Sequence, residues 1–495
     1  MTSSGQARDG RGATSSGRAR VPEPVEGPTA ASVLLPGFDG TSLPDWVAVR
    51  LRKGLAGVCL FGGNISSRAQ LRALTAEIRA ANPDAVIAID EEGGDVTRLD
   101  YHEGSPYPGA AILGRIDDLD LTWAVGRAVG DDLASVGATL GFAPVGDINS
   151  DADNPVIGVR SFGSGAEHVA RHVGAWTQGL QSASVAACAK HFPGHGDTGT
   201  DSHRDLPVVD LTLDELRRRD LRPFAEAVSA GIRAVMTSHI LLPRIDPHDA
   251  ATFSSTILGG ILRDELGFEG VIVSDALDMA GSSGSTGIPE AAVRALAAGC
   301  DLLCLGTDST PRQLDEIERA LDEAMSSDRL DRARIVDAAQ RVQALVEWSS
   351  RAPITTAPPF ELDPARTARS FDVAPSVARS SRIWPVLLHT EANAAIGTVP
   401  WGPFAGVDAW TAAQVVEEGD ILLPPADGSQ LWLVGRDIHR HAWVRQVVDR
   451  ARALYPDAIV VDMGWPDDAR RYADIATFGA SRHAGSALRG LEVGR

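Results

Sequence analysis

GVIVSDALDM, residues 270–279, is an apolar run that ends on Ser274-Asp275. A short run of this kind reads as a buried strand, so its terminal carboxylate sits on a rigid piece of backbone. Outward from it, seven further runs have the same form: SVLLPG (32–37), GVCLFG (57–62), AVIAID (85–90), TLGFAP (139–144), VAACAK (185–190), AVMTSH (234–239) and LLCLG (302–306). Between them, residues 68–81, 166–181, 213–228 and 289–299 carry apolar residues at three- and four-residue spacing, which predicts amphipathic helices. Thr212 with Glu215 has the form of a capping box, and Pro289 suits the first position of its helix. The alternation predicts an α/β fold on a parallel sheet. Eight βα units in about 310 residues predict a closed (β/α)8 barrel rather than an open doubly wound sheet.

That barrel is expected over residues 31–349, ending with a helix at 332–348. Residues 1–30 are rich in Ser, Gly, Arg and Pro and lack the apolar segment of a secretory signal, which predicts a disordered tail. The proline-rich stretch SSRAPITTAPPFELDPA breaks the periodicity and predicts a linker over 350–365. Residues 366–495 predict a smaller, reduced α/β domain, in which 430–466 reads strand, helix, strand. Its Trp432, Trp443 and Trp465 read as core and interface residues rather than as sugar platforms.

Composition narrows the function classes. With 495 residues, 44% hydrophobic and 23% charged, the chain is of globular type, and no stretch approaches the roughly 18 apolar residues of a membrane span. A net charge of -20 argues against docking to nucleic acid or an anionic membrane, both of which reward clustered Lys and Arg. A neutral substrate fits better. Cys59, Cys188, Cys300 and Cys304 lie inside apolar runs and read as reduced, buried thiols, and with no secretory signal a cytoplasmic location is expected.

In a (β/α)8 barrel the C-terminal strand ends and the loops after them carry the chemistry. Here those ends hold Asp90 and Glu92, Lys190 and His191, Ser238 and His239, and Ser274-Asp275. Asp275 is the candidate nucleophile, because nucleophilic catalysis by a carboxylate needs an ionised oxygen held rigidly, as at a strand end. Asp278 is its rival within the motif, with a supporting or solvent-facing role expected. The loop KHFPGHGDTGTDSH (190–203) places Asp201 one residue from His203. A turn there lets the carboxylate hold one imidazole nitrogen while the other shuttles a proton. Pro193 and three glycines make a helix improbable, so the four-residue spacing of His191 and His195 does not read as a metal pair. No metal and no cofactor are expected.

In order, the motifs LLPGF, GVCLFGGNI, IDEEGGDVTRL, FAPVGDIN, NPVIGVRSFG, KHFPGHGDTGTDSH, VMTSHI and GFEGVIVSDALDM resemble those of glycoside hydrolase family 3, in its β-N-acetylglucosaminidase branch. The resemblance implies a retaining exo-β-N-acetylglucosaminidase, with Asp275 forming a glycosyl-enzyme and His203, oriented by Asp201, as acid/base. It also implies that Asp90, Arg98, Arg160, Lys190 and His191 bind the hydroxyls of a terminal N-acetylglucosamine. An internal Asp90–Arg160 ion pair, and neutralisation of Asp275 by Lys190, are the structural alternatives. Glu91 stands where the family commonly has Gln or His. Competing functions are a β-glucosidase or β-xylosidase, a phosphorylase on the same fold, and a silent sugar-binding protein. Cell-wall fragments and chito-oligosaccharides both carry the terminal sugar, and a cytoplasmic enzyme would recycle the former.

Overall fold

The computed structural model describes residues 27–199, 206–283, 286–351, 360–390, 395–426 and 428–492. Each of the eight apolar runs contains a strand: β1 (Leu34–Leu35), β2 (Gly57–Leu60), β3 (Val86–Ile89), β4 (Leu140–Gly141), β5 (Ala186–Phe192), β6 (Ala234–Thr237), β7 (Val271–Val273) and β8 (Leu303–Cys304). Strands β2 to β7 form one parallel sheet in sequence order, and β1 pairs with β8 in another. Backbone hydrogen bonds join the two sheets at both junctions. Ser274 N donates to Leu302 O (2.9 Å), and Cys59 N donates to Pro36 O (3.0 Å).

Successive strand residues enter different cores, as a period of two requires. In β3, Ile87 and Ile89 join the large cluster beneath the surrounding helices, while Val86 and Ala88 join a smaller inner one. In β7, Ile272 faces outward, and Val271 and Val273 join the inner cluster. Val342, Leu345 and Val346 of helix Arg332–Arg351 pack against that inner cluster. All four cysteines are buried free thiols.

Helices Arg68–Ala81 and Ala166–Gln181 match their predicted ranges. The Thr212–Glu215 capping box forms, and helix Ile288–Ala298 begins one residue before Pro289, which takes its second position rather than its first. The helix expected over 213–228 is two, Leu213–Arg218 and Leu221–Ser229. Pro223 explains the break: inside one continuous helix it would remove the bond to residue 219 and clash there, but in a new first turn it needs no N–H. The break aims Arg219 at Asp197, 2.8 Å away on the loop after β5.

A second six-stranded sheet has the order β11 (Gln414–Val416), β10 (Ile383–Leu388), β12 (Gln430–Gly435), β13 (Ile459–Asp462), β14 (Ile475–Ala476), β9 (Asp372–Val373), with only β9 antiparallel. Helix Ala442–Leu454 connects β12 to β13, the strand–helix–strand unit expected there. Trp432 is fully buried, and Trp465 packs edge-on against Phe478, so both serve the core. The two sheets meet through polar contacts. Asp95 accepts from Ala480 N (2.7 Å), Arg115 Nε donates to Ser370 O (2.7 Å), and Arg440 Nη1 donates to Asn154 O (3.0 Å). No described helix is long and apolar enough to cross a membrane.

Candidate active site

The C-terminal strand ends open on a cavity of about 290 Å³ lined by Asp90, Arg98, Arg160, Lys190, His191 and Asp275, together with Phe142, Val156, His195, Met236 and Ala395. Six of the eight residues named from the sequence therefore meet in one place. Asp201 and His203 lie outside the described residues.

Asp90 follows β3 and is held by two cations, the Lys190 ammonium and Arg98 Nη2 at 3.1 Å. The turn after it closes with Glu92 N donating to Val96 O (3.1 Å) through Gly93, whose φ of +70° suits glycine. Glu91 points away from the cavity. Its Oε2 accepts from Thr97 Oγ1 (2.9 Å), Arg98 N (2.8 Å) and Leu99 N (2.9 Å), which fixes the segment carrying Arg98. Burial, and then Asp100, push its carboxyl up to about 8.

Glu92 is the hub of the buried charges. Arg160 grips it with two parallel bonds, Nε to Oε2 at 2.9 Å and Nη2 to Oε1 at 2.7 Å, and Lys190 Nζ lies 2.7 Å from Oε1. Burial alone would raise the Glu92 carboxyl, but Arg160 and Lys190 outweigh it and hold it well below the usual range. In turn, burial would lower Lys190, and Asp90 and Glu92 keep it raised and charged. The two structural alternatives are thereby replaced: Arg160 pairs with Glu92 rather than Asp90, and Lys190 pairs with Asp90 and Glu92 rather than Asp275.

Beyond β4 the chain continues alongside β5, with Gly146 N donating to Lys190 O (2.6 Å). This brings Asp147 over His191, where it accepts from the ring at Nδ1 (2.7 Å) and from the backbone N–H groups of His191 (3.1 Å) and His195 (2.7 Å). Burial would raise Asp147, and the two histidines hold it low. With Nδ1 committed, His191 presents its other nitrogen. His195 is buried with Nδ1 2.8 Å from Thr198 Oγ1, and burial with His191 nearby lowers it to about 4, so it stays neutral near pH 7.

Asp275 sits two residues past β7. Its Oδ1 accepts from Ala276 N (2.8 Å), and the neighbouring Ser274 Oγ accepts from Cys304 N (3.0 Å), so the strand end is pinned to β8. Asp278 is exposed at the rim beside Gly306, as expected for the rival carboxylate. A Cβ at Gly306 would lie 1.8 Å from Asp278 Oδ2.

Sequence reasoning placed Glu92 at a strand end without a role, and it missed Asp147 and the Ala395 carbonyl that accepts from Arg98 Nη2 at 2.7 Å. Glu92 and Asp147 stand inside quoted motifs, IDEEGGDVTRL and FAPVGDIN. Ala395 carries no side-chain signal at all.

The family model for the glycosyl hydrolase family 3 N-terminal domain matches residues 42–345. The chain belongs to this family. This family 3 glycoside hydrolase is similar to the beta-hexosaminidase of Chromobacterium violaceum, 40% identical over 291 residues, covering 57% of this chain and 80% of that one. It is 41% identical over 276 residues to the beta-hexosaminidase of Neisseria meningitidis serogroup C, covering 54% and 75%. Among solved structures, a family 3 β-N-acetylglucosaminidase from Paenibacillus sp. FPU-7 aligns with TM-score 0.80 at 29% identity, over 93% of this chain and 94% of that one. The Neisseria gonorrhoeae protein solved with N-trifluoroacetyl-D-glucosamine aligns with TM-score 0.55 at 34% identity, over 66% and 94%.

Proposed function

We propose that this glycoside hydrolase is a retaining exo-β-N-acetylglucosaminidase, removing terminal β-linked N-acetylglucosamine through a covalent glycosyl-enzyme. The observation that carries the reading is the meeting of Asp275, Asp90, Arg98, Arg160, Lys190 and His191 around one cavity. The names of the relatives supply the sugar.

In this reading the eight strands close into a (β/α)8 barrel over 31–349, and 366–495 is a second α/β domain after a linker at 350–365. Asp90, with Lys190 and Arg98 upon it, offers acceptors and donors to adjacent hydroxyls, and His191 offers its outward nitrogen. Hydroxyl contacts that strengthen in the transition state lower the barrier rather than only tightening the ground state. Asp275 attacks the anomeric carbon as the glycosidic bond breaks, and the leaving oxygen takes a proton from His203. His203, held by Asp201, then takes a proton from water as that water displaces Asp275. Cell-wall fragments in the cytoplasm are the proposed source of the sugar.

The test compares aryl β-N-acetylglucosaminide with aryl β-glucoside for the wild type, Asp275→Ala and His203→Ala, with and without phosphate. The N-acetylated substrate should be strongly preferred, and Asp275→Ala should abolish turnover. His203→Ala should lose most activity on poor leaving groups and less on good ones. Full turnover in Asp275→Ala would sink the nucleophile assignment, and a sugar phosphate as the product would replace hydrolysis by phosphorolysis.

A further inference from the structure

On the outer side of the strands, away from the cavity, helix Ala166–Gln181 presents His168 and His172 four residues apart, so both imidazoles lie on one face. Facing them is Asp117, which follows helix Ala110–Ile116 with φ +50°. Its Oδ1 is 3.3 Å from His172 Nε2 and 3.6 Å from His168 Nδ1, and all three donor atoms lie within 4.8 Å of one another. We propose that Asp117, His168 and His172 form a binding site for a divalent transition-metal ion of the zinc class.

The two edges that meet at Asp117 fit such an ion, and rotation of the partly exposed His168 closes the third, which lies within 4.8 Å. Tetrahedral zinc with bonds of about 2.0–2.1 Å has ligand-to-ligand edges of roughly 3.3–3.4 Å, so the two measured separations need only a few tenths of an ångström of adjustment. The buried ligand is already oriented. His172 is fully enclosed, stacked on Phe162 (ring centroids 5.3 Å apart), with Nδ1 2.8 Å from Thr122 Oγ1. Without an ion, His172 Nε2–H donates to Asp117 Oδ1 (3.3 Å). Since the Thr122 hydroxyl can donate to Asp118 O (3.1 Å), its oxygen is able to accept the His172 Nδ1–H instead, which frees the Nε2 lone pair for a metal. A ligand histidine fixed through its second nitrogen is the usual support of a metal site.

The same cleft already draws a positive charge. Arg171 Nη2 lies 3.2 Å from Asp117 Oδ1 and 3.4 Å from His168 Nδ1. Its side chain is half-exposed, so it can swing into water and yield the place to an ion. Asp117 is exposed and His168 partly so, which leaves the fourth position to water. Ligation would fasten helix Ala166–Gln181 to the turn between Ala110–Ile116 and Leu119–Ser135.

Isothermal titration of chelator-treated full-length protein with Zn²⁺, alongside thermal melts, tests the site. The wild type should bind one ion that Asp117→Asn and His168→Ala each weaken by at least about 10-fold. Bound zinc should raise Tm in the wild type. Arg171→Ala keeps all three ligands and should bind more tightly, whatever the other variants do to stability. Absence of saturable binding, or a stoichiometry and affinity unchanged in both ligand variants, overturns the proposal.

Discussion

Glu91 sits one residue from a carboxylate of the cavity, yet it faces the other way and works through backbone. In an unfolded chain it ionises near 4.5; in the fold, burial and then Asp100 push it to about 8. The folded state therefore favours the neutral acid. Its contribution to stability is full below pH 4.5 and is lost as pH rises through about 8. An uncharged Gln escapes that loss. Glu91→Gln should match the wild type in stability near pH 5 and exceed it at pH 8.5, by on the order of a few kcal/mol in unfolding free energy, with a higher Tm to match. Because Glu91 anchors Arg98, wild-type kcat/KM should also fall on the alkaline side while the Gln variant stays flatter. Parallel melts and pH–rate profiles check this, and identical alkaline limbs would contradict it.

At the scale of elements, the site depends on what lies just past the strands. Strand positions were legible because these apolar runs are too short for helices, and each holds a strand. Most helix positions were legible by the same periodicity, and Pro223 marks the place where the pattern misled. The site was legible as residue types at strand ends. Its wiring was not, since Arg160 meets Glu92 across 68 positions and Lys190 meets Asp90 across 100. Such pairings follow from the order of strands in the sheet, which local spacing does not encode. Asp147 is the clearest case: only the run of chain beyond β4 alongside β5 puts it over His191. Asp147→Asn keeps the shape but gives up one acceptor oxygen, so the His191 ring loses its fixed tautomer. A misplaced group in the site costs on the order of 100-fold. The variant should lose about that factor in kcat/KM on an aryl β-N-acetylglucosaminide, and steady-state kinetics beside a melting curve separates this from unfolding.

For the whole molecule, the question is how far the second sheet serves the first. The matched family region ends at residue 345, yet Arg98 in the cavity donates to the Ala395 carbonyl from beyond it. Tyr101, on the same segment as Arg98, reaches Thr398 at 3.0 Å. Apolar packing reinforces these polar links. Ile112 belongs by sequence to helix Ala110–Ile116 beside the first sheet, but its buried side chain joins the cluster of Trp432, Val434, Val461 and Ile475 in the second. A Cβ on Gly479 would lie 3.0 Å from Ile112 Cδ1, so the two pack closely there. Ile112→Ala should cost about 2–5 kcal/mol by lost transfer energy and the cavity left behind. The second consequence is kinetic. If packing at Ile112 helps hold Ala395 against Arg98, the variant should raise KM for the sugar while kcat changes little, because the strand end carrying Asp275 is pinned to β8 through Ser274. Urea unfolding and steady-state kinetics on one preparation measure both effects. A loss of stability with KM unchanged would show that the second sheet supports the fold without shaping the cavity.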